Sequence, residues 1–435
     1  MENRPGAIPF ISLRMKKDST ASRKQNTAFS VLKNAQYTWL LCSNLAFFFA
    51  MQAQMVLRAW LAFKLTNSEF ALGLVMFAIA VPMFFLSPVG GVMADRIDRR
   101  KLIILGQLTV FLLDLLILAL LLTDRLEFWH LILNAAIIGS AFPFIMPARN
   151  AIVVNVVRKS NLEKAMAINM GGVNMTRVLG PAIAGFLIDF IGVSYAYCMG
   201  VLLYGVGLLF MIRVSSSKPA SDIEHLSPLK SVIEGASYVK EHHLIFILLL
   251  FGLIPMFLAM PFQSLLVVFA EKVWQVGPRG FGFLSASIGI GGITGSLLVT
   301  SFKSDYSRLK RMMFSVIFFG FFLFCFSVSP WFFLGLPLVF VANVFASIFQ
   351  TLNNTAIQML IPDRVRGRIT SFLMMSFSLP LLGTLPIAAL AESLGAPFAV
   401  GLSSVLAILI SLLFFMISPE LRKMNQRLKA GKTID

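Results

Sequence analysis

The sequence has little charge. Only 13% of its 435 residues are Asp, Glu, Lys or Arg, whereas soluble globular proteins carry about 25%. Hydrophobic residues make up 57% of the chain, so there is too little polar surface to cover a set of soluble domains. This composition excludes a soluble globular protein and indicates a chain embedded in a lipid bilayer.

The sequence also lacks the motifs of several functional classes. Its three cysteines, Cys42, Cys198 and Cys325, lie in apolar runs without CxxC spacing, which excludes a disulfide framework and a cysteine metal site. The histidines lie at the ends of predicted helices or in a linker, and there is no HExxH or phosphate-binding Gly-x-x-x-x-Gly-Lys-Ser/Thr element. We therefore expect no enzymatic activity, no cofactor, no metal and no direct use of ATP.

Long apolar segments fill most of the remaining sequence. A bilayer-spanning helix needs about 20 apolar residues, and twelve segments of this length are predicted. They lie near 38–63, 70–91, 102–122, 129–152, 166–189, 193–213, 244–270, 281–302, 312–329, 331–357, 369–391 and 395–417. The predicted fold class is an all-α membrane protein with twelve transmembrane helices in two six-helix pseudo-repeats.

Basic residues are concentrated in the two tails and in alternate loops. The net charge is +17, and short loops rich in Lys and Arg remain on the cytoplasmic side of a membrane. We therefore expect the chain to lie in the inner membrane of a cell, with both termini in the cytoplasm. The pattern indicates membrane topology and no nucleic-acid partner.

The predicted helices divide the chain into five regions. These are a cytoplasmic N-terminal tail (1–37), an N-terminal six-helix bundle (38–213), a cytoplasmic linker with an amphipathic helix (214–243), a C-terminal six-helix bundle (244–417) and a cytoplasmic tail (418–435). The first tail has no apolar core of signal-peptide length. A transit peptide is the alternative, but Glu2 and Asp18 count against it.

The two predicted bundles resemble each other in sequence. Residues 150–164 align with residues 354–368 at a fixed offset, and Asp189-Phe-Ile-Gly192 aligns with Glu392-Ser-Leu-Gly395 after one deletion. Weak repetition of this kind is typical of transporters with a substrate site between two repeats.

A motif after the second predicted helix carries the strongest resemblance. Residues 90–101 read Gly-Gly-Val-Met-Ala-Asp-Arg-Ile-Asp-Arg-Arg-Lys, which is similar to the loop between helices 2 and 3 of the major facilitator superfamily. The resemblance implies a conformational latch in which Asp95 faces the N-terminus of helix 11 and a basic residue ending helix 4. The predicted latch residues are Gly91, Asp95, Arg96, Arg99, Arg100 and Arg149. The alternative is that these charges only set topology.

A second motif lies in the fifth predicted helix. Arg177, Gly180, Pro181 and Gly185 resemble the Gly-Pro-x-x-Gly-Gly element of antiporters in the same superfamily, which implies export. The alternative is an ordinary close helix contact through small residues.

Elements in both halves, including Pro147-Ala-Arg149 and Pro362-Asp-Arg364, resemble the branch with enterobactin exporters and macrolide efflux pumps. This resemblance implies a secondary active exporter of a small amphipathic organic molecule such as a drug or siderophore. It further implies antiport of a proton or another coupling ion, alternating access and a monomer in the bilayer. A lipid or lysophospholipid translocator on the same fold is the alternative.

Polar residues inside the predicted helices are candidates for the substrate cavity. In the tenth helix they recur at i, i+4, i+7 and i+11 on one face, which should meet a cavity or another helix and not lipid. The candidates are Gln52, Gln54, Arg58, Asn169, Asn174, Arg177, Gln263, Asn343, Ser347, Gln350 and Asn354.

Asp114 is the only acidic residue well inside a predicted span. Burial raises the affinity of a carboxylate for protons, so Asp114 is the candidate coupling site. A structural role as the partner of a basic residue is the alternative. The first helix has no carboxylate, so proton coupling rests on the resemblance and not on these residues.

Overall fold

The computed structural model describes residues 28–216, 233, 237–302, 308–361 and 378–422, apart from the side chains of residues 28–30, 95 and 159. Within these ranges the chain is helical and contains no strand. Eleven of the described helices are long and apolar enough to cross a membrane, and a shorter apolar segment, Leu379–Leu394, follows the tenth. The described helices thus agree with the predicted all-α membrane fold.

The first half of the chain forms six long helices. Their bounds are α1 Ala35–Thr66, α2 Glu69–Arg96, α3 Arg99–Leu122, α4 Phe128–Val156, α5 Leu162–Ile191 and α6 Val193–Ile212. The turns between them are short, and side chains cap the starts of α2 and α3: Ser68 accepts a hydrogen bond from the Ala71 amide, and Asp98 accepts one from the Arg100 amide. These caps satisfy amide groups that a helix N-terminus leaves free.

The second half repeats this arrangement with α7 His243–Leu258, α8 Gly277–Thr300, α9 Arg308–Ser327, α10 Phe332–Leu360, α11 Thr384–Leu394 and α12 Ala396–Ile417. The long apolar run in this half divides between α9 and α10, around Ser329-Pro330, where the predicted segments 312–329 and 331–357 meet. The predicted eleventh helix began at residue 369, but residues 362–377 lie outside the described residues. Most of the predicted amphipathic linker helix also lies outside them.

The two halves share a detailed backbone feature. Gly192, between α5 and α6, has a φ of 87°, and Gly395, between α11 and α12, has a φ of 90°. Residues with side chains rarely adopt this region of backbone space. The two glycines are the ones that the internal sequence alignment pairs, so the structure and the sequence identify the same repeat.

The seventh membrane-crossing segment is broken, which the sequence did not predict. A continuous helix was expected over 244–270, whereas α7 ends at Leu258 and is followed by a 3₁₀ segment, Met260–Leu265, a short α turn and a π-helical turn, Phe269–Val273. Pro261 lacks the amide that would continue the hydrogen-bond ladder of an α-helix. The break places irregular backbone next to the space between the halves.

The halves pack against each other through α5 with α8 and through α2 with α11. Gly185 on α5 lies so close to α8 that an added Cβ would be 2.5 Å from the Pro278 carbonyl oxygen and 2.8 Å from the Gly282 Cα. At Gly73 on α2, an added Cβ would be 2.5 Å from the Ala388 Cβ on α11. Small residues therefore permit direct backbone contact at both seams.

Polar contacts join the two halves at the end of the bundle that carries the α1–α2, α5–α6, α7–α8 and α11–α12 turns. We call this end the closed end, and the opposite end, where α1 begins and α6 and α12 finish, the terminal end. Lys64 pairs with Glu271 at 2.8 Å, and Lys272 pairs with Glu69 at 2.8 Å. These pairs link the end of the seventh segment to the α1–α2 turn.

Two further contacts at the closed end follow the internal repeat. Asp189, near the end of α5, pairs with Arg279 at the start of α8 at 2.5 Å. Glu392, its counterpart near the end of α11, accepts hydrogen bonds from the Glu69 and Phe70 amides at the start of α2, at 2.6 and 3.0 Å. Each half thus places a carboxylate against the first turn of a helix in the other half.

Candidate functional site

A cavity of about 760 Å³ lies between the two halves. Its wall includes residues of α1, α2, α5, α8, α10 and α11 together with the broken seventh segment. Met170, on the terminal side of this wall, has 57% of its surface exposed, so the cavity reaches toward the terminal end. The contacts described above separate it from the closed end.

Three helices line the cavity with the same residue spacing. The lining residues are Met170, Asn174, Arg177 and Pro181 on α5, Ser285, Gly289, Gly292 and Ser296 on α8, and Asn343, Ser347, Gln350 and Asn354 on α10. Each set falls at i, i+4, i+7 and i+11, which keeps its members on one helix face. The cavity wall therefore contains one continuous stripe on each of the three helices. The polar side chains of the α8 and α10 stripes would be costly to expose to lipid, and they line the cavity instead.

Arg177 is the only ionisable residue among the described residues that line the cavity. Its side chain is exposed to the cavity, and the part of the chain that the structure describes offers it no ion-pair partner. A cation in this position gives the cavity a positive potential, which favours an anionic group.

The structure places eight of the candidate cavity residues on the cavity wall. They are Gln52, Asn174, Arg177, Gln263, Asn343, Ser347, Gln350 and Asn354. Ser347 also donates a hydrogen bond to the Gly292 carbonyl oxygen at 2.7 Å, so part of the α10 stripe fixes the α8 contact.

The other three candidates, Gln54, Arg58 and Asn169, do not line the cavity. They are buried within the first half, with exposures of 0%, 5% and 9%. Gln54 donates to the Tyr197 carbonyl oxygen at 3.4 Å, and Asn169 accepts a hydrogen bond from Asn44 at 2.8 Å. A helix packed on all sides can direct a polar side chain toward a neighbouring helix as readily as toward the cavity, and the sequence does not distinguish the two.

Arg58 and Asp114 form a buried ion pair inside the first half. The Arg58 Nη2 atom lies 3.1 Å from the Asp114 Oδ2 atom, and the Asp114 side chain is fully buried. The other carboxylate oxygen accepts hydrogen bonds from Asn134 at 3.1 Å and Tyr197 at 3.0 Å. The cluster joins α1, α3, α4 and α6, and it is separate from the cavity wall.

Arg149 is also buried, at 2% exposure. It donates a hydrogen bond to the Asn44 side chain, and its guanidinium carbon lies 4.2 Å from the centre of the Phe47 ring. The side chain of Asp95, its predicted latch partner, lies outside the described residues. The latch between these two residues therefore stays a prediction.

The other predicted latch residues lie at the terminal end of α2 and the start of α3. Gly91 and Arg96 are in the last turns of α2. Arg99 donates to the Ala94 carbonyl oxygen at 3.4 Å, and Arg100 donates to the Ile212 carbonyl oxygen at 2.5 Å. These two arginines satisfy carbonyl groups at helix C-termini, which is a local structural role.

The predicted helix 5 motif lies at the seam with α8. Gly180 faces α1, where an added Cβ would be 2.8 Å from the Gln52 Cβ, and an added Cβ at Gly289 would be 2.8 Å from the Arg177 carbonyl oxygen. Pro181 lines the cavity. The motif thus combines close packing between the halves with exposure of Arg177 to the cavity.

Several cavity residues were missed by the sequence reasoning. They are the methionines Met55, Met76, Met170 and Met260 and the hydroxyl residues Ser264, Ser285, Ser296, Thr351 and Thr384. The repeated i, i+4, i+7, i+11 spacing of Ser285 and Ser296 with two glycines was a usable signal. Met170 shares this spacing with Asn174 and Arg177, whereas the other three methionines carried no such signal, since a methionine in a membrane helix is as often a packing residue.

Comparison with known proteins identifies the family. The family described as transmembrane secretion effector, within the major facilitator superfamily, matches residues 26–433. The chain belongs to this family. Its relatives include the staphyloferrin A transporter of Staphylococcus aureus, with 24% identity over 83% of this chain and 91% of the relative. The enterobactin exporter EntS of Escherichia coli is 29% identical over 83% of this chain and 86% of the relative.

Solved structures share the fold of this family member. A bacterial homologue of the human lysosomal transporter Spinster, in an inward-facing and unoccupied conformation, matches with a TM-score of 0.67 and 14% identity over 92% of this chain and 99% of the other. The nucleoside transporter NupG matches with a TM-score of 0.70 and 14% identity over 88% of this chain and 98% of the other. These structures share the fold, and the family match makes the chain a multi-pass membrane transporter of the major facilitator type and not an enzyme.

Proposed function

We propose that the protein is a secondary active exporter of a small amphipathic organic molecule, such as a siderophore or a drug. The observation that carries this proposal is the cavity between the two halves, with polar stripes on α8 and α10 and the cation of Arg177 on α5, which has no ion-pair partner among the described residues. One relative is named as a staphyloferrin A transporter and another as an enterobactin exporter. A cavity at the interface of two repeats is the usual substrate site of such transporters.

The proposed mechanism is alternating access in a monomer. In the state described here the closed end is held by ion pairs between the halves, whereas the cavity reaches toward the terminal end. The basic tails favour a cytoplasmic position for the terminal end in the inner membrane. This state would then be the one that loads substrate from the cytoplasm, and separation of the pairs at the closed end would release it outside.

Proton antiport is the proposed source of energy. The sequence has no phosphate-binding loop for ATP, so a coupling ion is needed to drive export. Asp114 stays the candidate coupling carboxylate, but its ion pair with Arg58 also supports the structural alternative. The latch role of Asp95 with Arg149 is part of the same proposal.

Accumulation in a bacterial host without its own efflux pumps tests the proposal. A panel of macrolides, dyes and catecholate siderophores is measured with the wild type, Arg177→Gln and Asp95→Asn, each with and without a protonophore. We expect the wild type to lower accumulation of at least one compound, and both the substitutions and the protonophore to reverse this. The exposed Arg125, substituted by Gln, is the matched control.

The opposite result has a defined meaning. Unchanged accumulation of every compound, at verified membrane levels of the protein, contradicts export of drugs and siderophores. Translocation of a fluorescent lysophospholipid across proteoliposomes would then favour the lipid alternative. Export that persists with the protonophore contradicts proton coupling while leaving export intact.

A further inference from the structure

The cavity is amphipathic along its length. Its part nearest the closed end is lined by Val56, Ala59, Met76, Leu266 and Phe281. Ala59 lies seven residues before the end of α1, and Met76 lies seven residues after the start of α2. At a rise of 1.5 Å per residue, both are about 10 Å from the closed end. The five residues are only 2–6% exposed and belong to the hydrophobic core, so they form the narrow apolar end of the cavity, which we call the blind pocket.

Ser285 and Asn343 lie level with this end, about 12 and 17 Å from the closed end, whereas the charged residue and most amide side chains of the wall lie deeper in the bundle. Arg177 lies fourteen residues before the end of α5, and Gln350 lies eighteen residues after the start of α10. Their distances from the closed end are therefore about 21 and 27 Å. Gln52, Asn174 and Asn354 lie at similar or greater depths. The single cation thus lies about 10 Å on the terminal side of the blind pocket.

The charge of this deeper part is not balanced within the described chain. Arg177 has no ion-pair partner there, and no Asp or Glu of the described residues lines the cavity. A guanidinium in a low-dielectric space attracts an anion more strongly than one in bulk water. An acidic group of the substrate would supply a partner that the described residues do not provide.

We propose that the cavity binds amphipathic organic anions in one orientation, with the acidic group at Arg177 and the apolar body in the blind pocket of Val56, Ala59, Met76, Leu266 and Phe281. This inference rests on the proposed export function, because it identifies the substrate class of the same site. The methionine in the pocket adapts its shape to different apolar bodies, so selection depends on the acidic group more than on the exact outline of the body.

Equilibrium binding to the purified full-length protein in detergent tests this inference without requiring transport. The probes are two dyes with the same xanthene frame, fluorescein as the anion and rhodamine 123 as the cation, each corrected for binding to protein-free micelles. The wild type should bind fluorescein at least about tenfold more tightly, since a charge-assisted contact contributes about 1.5–3 kcal/mol, or roughly ten- to a hundredfold in affinity.

Substitutions separate the two parts of the site. Arg177→Gln should weaken fluorescein binding about tenfold or more and leave rhodamine 123 binding unchanged or tighter, because it removes a positive charge from the cavity. Arg177→Lys should retain most of the affinity for fluorescein. Ala59→Phe fills the blind pocket and should weaken fluorescein without weakening benzoate, which is measured as a competitor. Should Ala59→Phe fail to fold, Ala59→Leu gives the same comparison with a smaller side chain. Arg125→Gln is the control for the loss of an arginine.

Three results would overturn the inference: fluorescein binding no tighter than rhodamine 123 binding, an equal loss of both dyes in Arg177→Gln, or equal weakening of benzoate and fluorescein by a filled pocket. These results are distinguishable from failure of the export proposal. Charge-selective binding with no export in cells would contradict export alone.

Discussion

Substitution of Asp114 by leucine should destabilise the first half of the protein, because it leaves the buried guanidinium of Arg58 without its counter-ion. Arg58 is 5% exposed and Asp114 is fully buried, with 3.1 Å between the charged groups. Removing one partner of a buried pair costs about 3–5 kcal/mol. An unpaired arginine at the centre of a membrane helix costs about 2.5–3.5 kcal/mol on insertion scales. Both estimates indicate that the free energy of unfolding falls by about 3 kcal/mol.

A double-mutant cycle measures this value. Asp114→Leu and Arg58→Leu are compared with the double substitution by titration of the purified protein with SDS, following unfolding by tryptophan fluorescence. Each single substitution should cost about 3 kcal/mol, and the double should cost clearly less than their sum, because it removes both charges together. If each single substitution lowered the free energy of unfolding by less than about 1 kcal/mol, and the two losses were additive, the ion pair would not be a stabilising contact.

Gln107 provides a matched control on the same helix. It lies seven residues before Asp114, is 1% exposed, and neither side-chain polar atom has a hydrogen-bond partner among the described residues. Gln107→Leu should therefore change stability by less than about 1 kcal/mol or increase it, because no paired partner is left behind. A loss as large as that of Asp114→Leu would indicate a general intolerance of α3 to substitution.

Three further predictions concern the contacts between the halves. Lys64→Glu should change the equilibrium between closed and open forms of the closed end by less than about fivefold, since the side chain is half exposed and such pairs contribute about 0–1 kcal/mol. Glu271→Lys in the same chain should reverse the change. Distances between spin labels across the closed end measure both effects. Glu392→Gln should open this end further, since it weakens two hydrogen bonds to backbone amides of α2, and unchanged label distances would contradict this. Gly185→Val should prevent closure of the α5–α8 seam and lower export at least tenfold, whereas Gly171→Val, where an added Cβ meets nothing within 4 Å, should retain it.

The sequence predicted the helices well because lipid imposes a simple requirement. Every backbone polar group in the bilayer must be paired, and a helix does this within one apolar segment. The run of apolar residues around Ser329-Pro330 therefore divides where proline and serine allow it. The break after Leu258 was not predicted, because Pro255 and Pro261 in a membrane helix are compatible with either a bend or a break.

The candidate site was predictable where the signal lies within one helix. The α10 stripe was found from spacing alone, and its four residues line the cavity. The sequence singled out Arg58 as a cavity candidate and Asp114 as the coupling candidate, but their pairing depends on how α1 and α3 rotate and slide against each other. That register is set by packing between distant segments, which single-helix periodicity does not contain.

Side-specific labelling of a cavity residue tests the proposed export cycle most directly. Ser296 lies on the terminal side of the cavity wall, and Ser296→Cys is introduced after Cys42, Cys198 and Cys325 are replaced by serine. A membrane-impermeant maleimide is then applied to right-side-out and to inverted membrane vesicles. We predict rapid labelling only in inverted vesicles at rest, with labelling from the outer face appearing when substrate and a proton gradient are supplied. Equal labelling from both faces at rest, or labelling only from the outer face, would contradict a cavity that opens to the cytoplasm and alternates between the two sides.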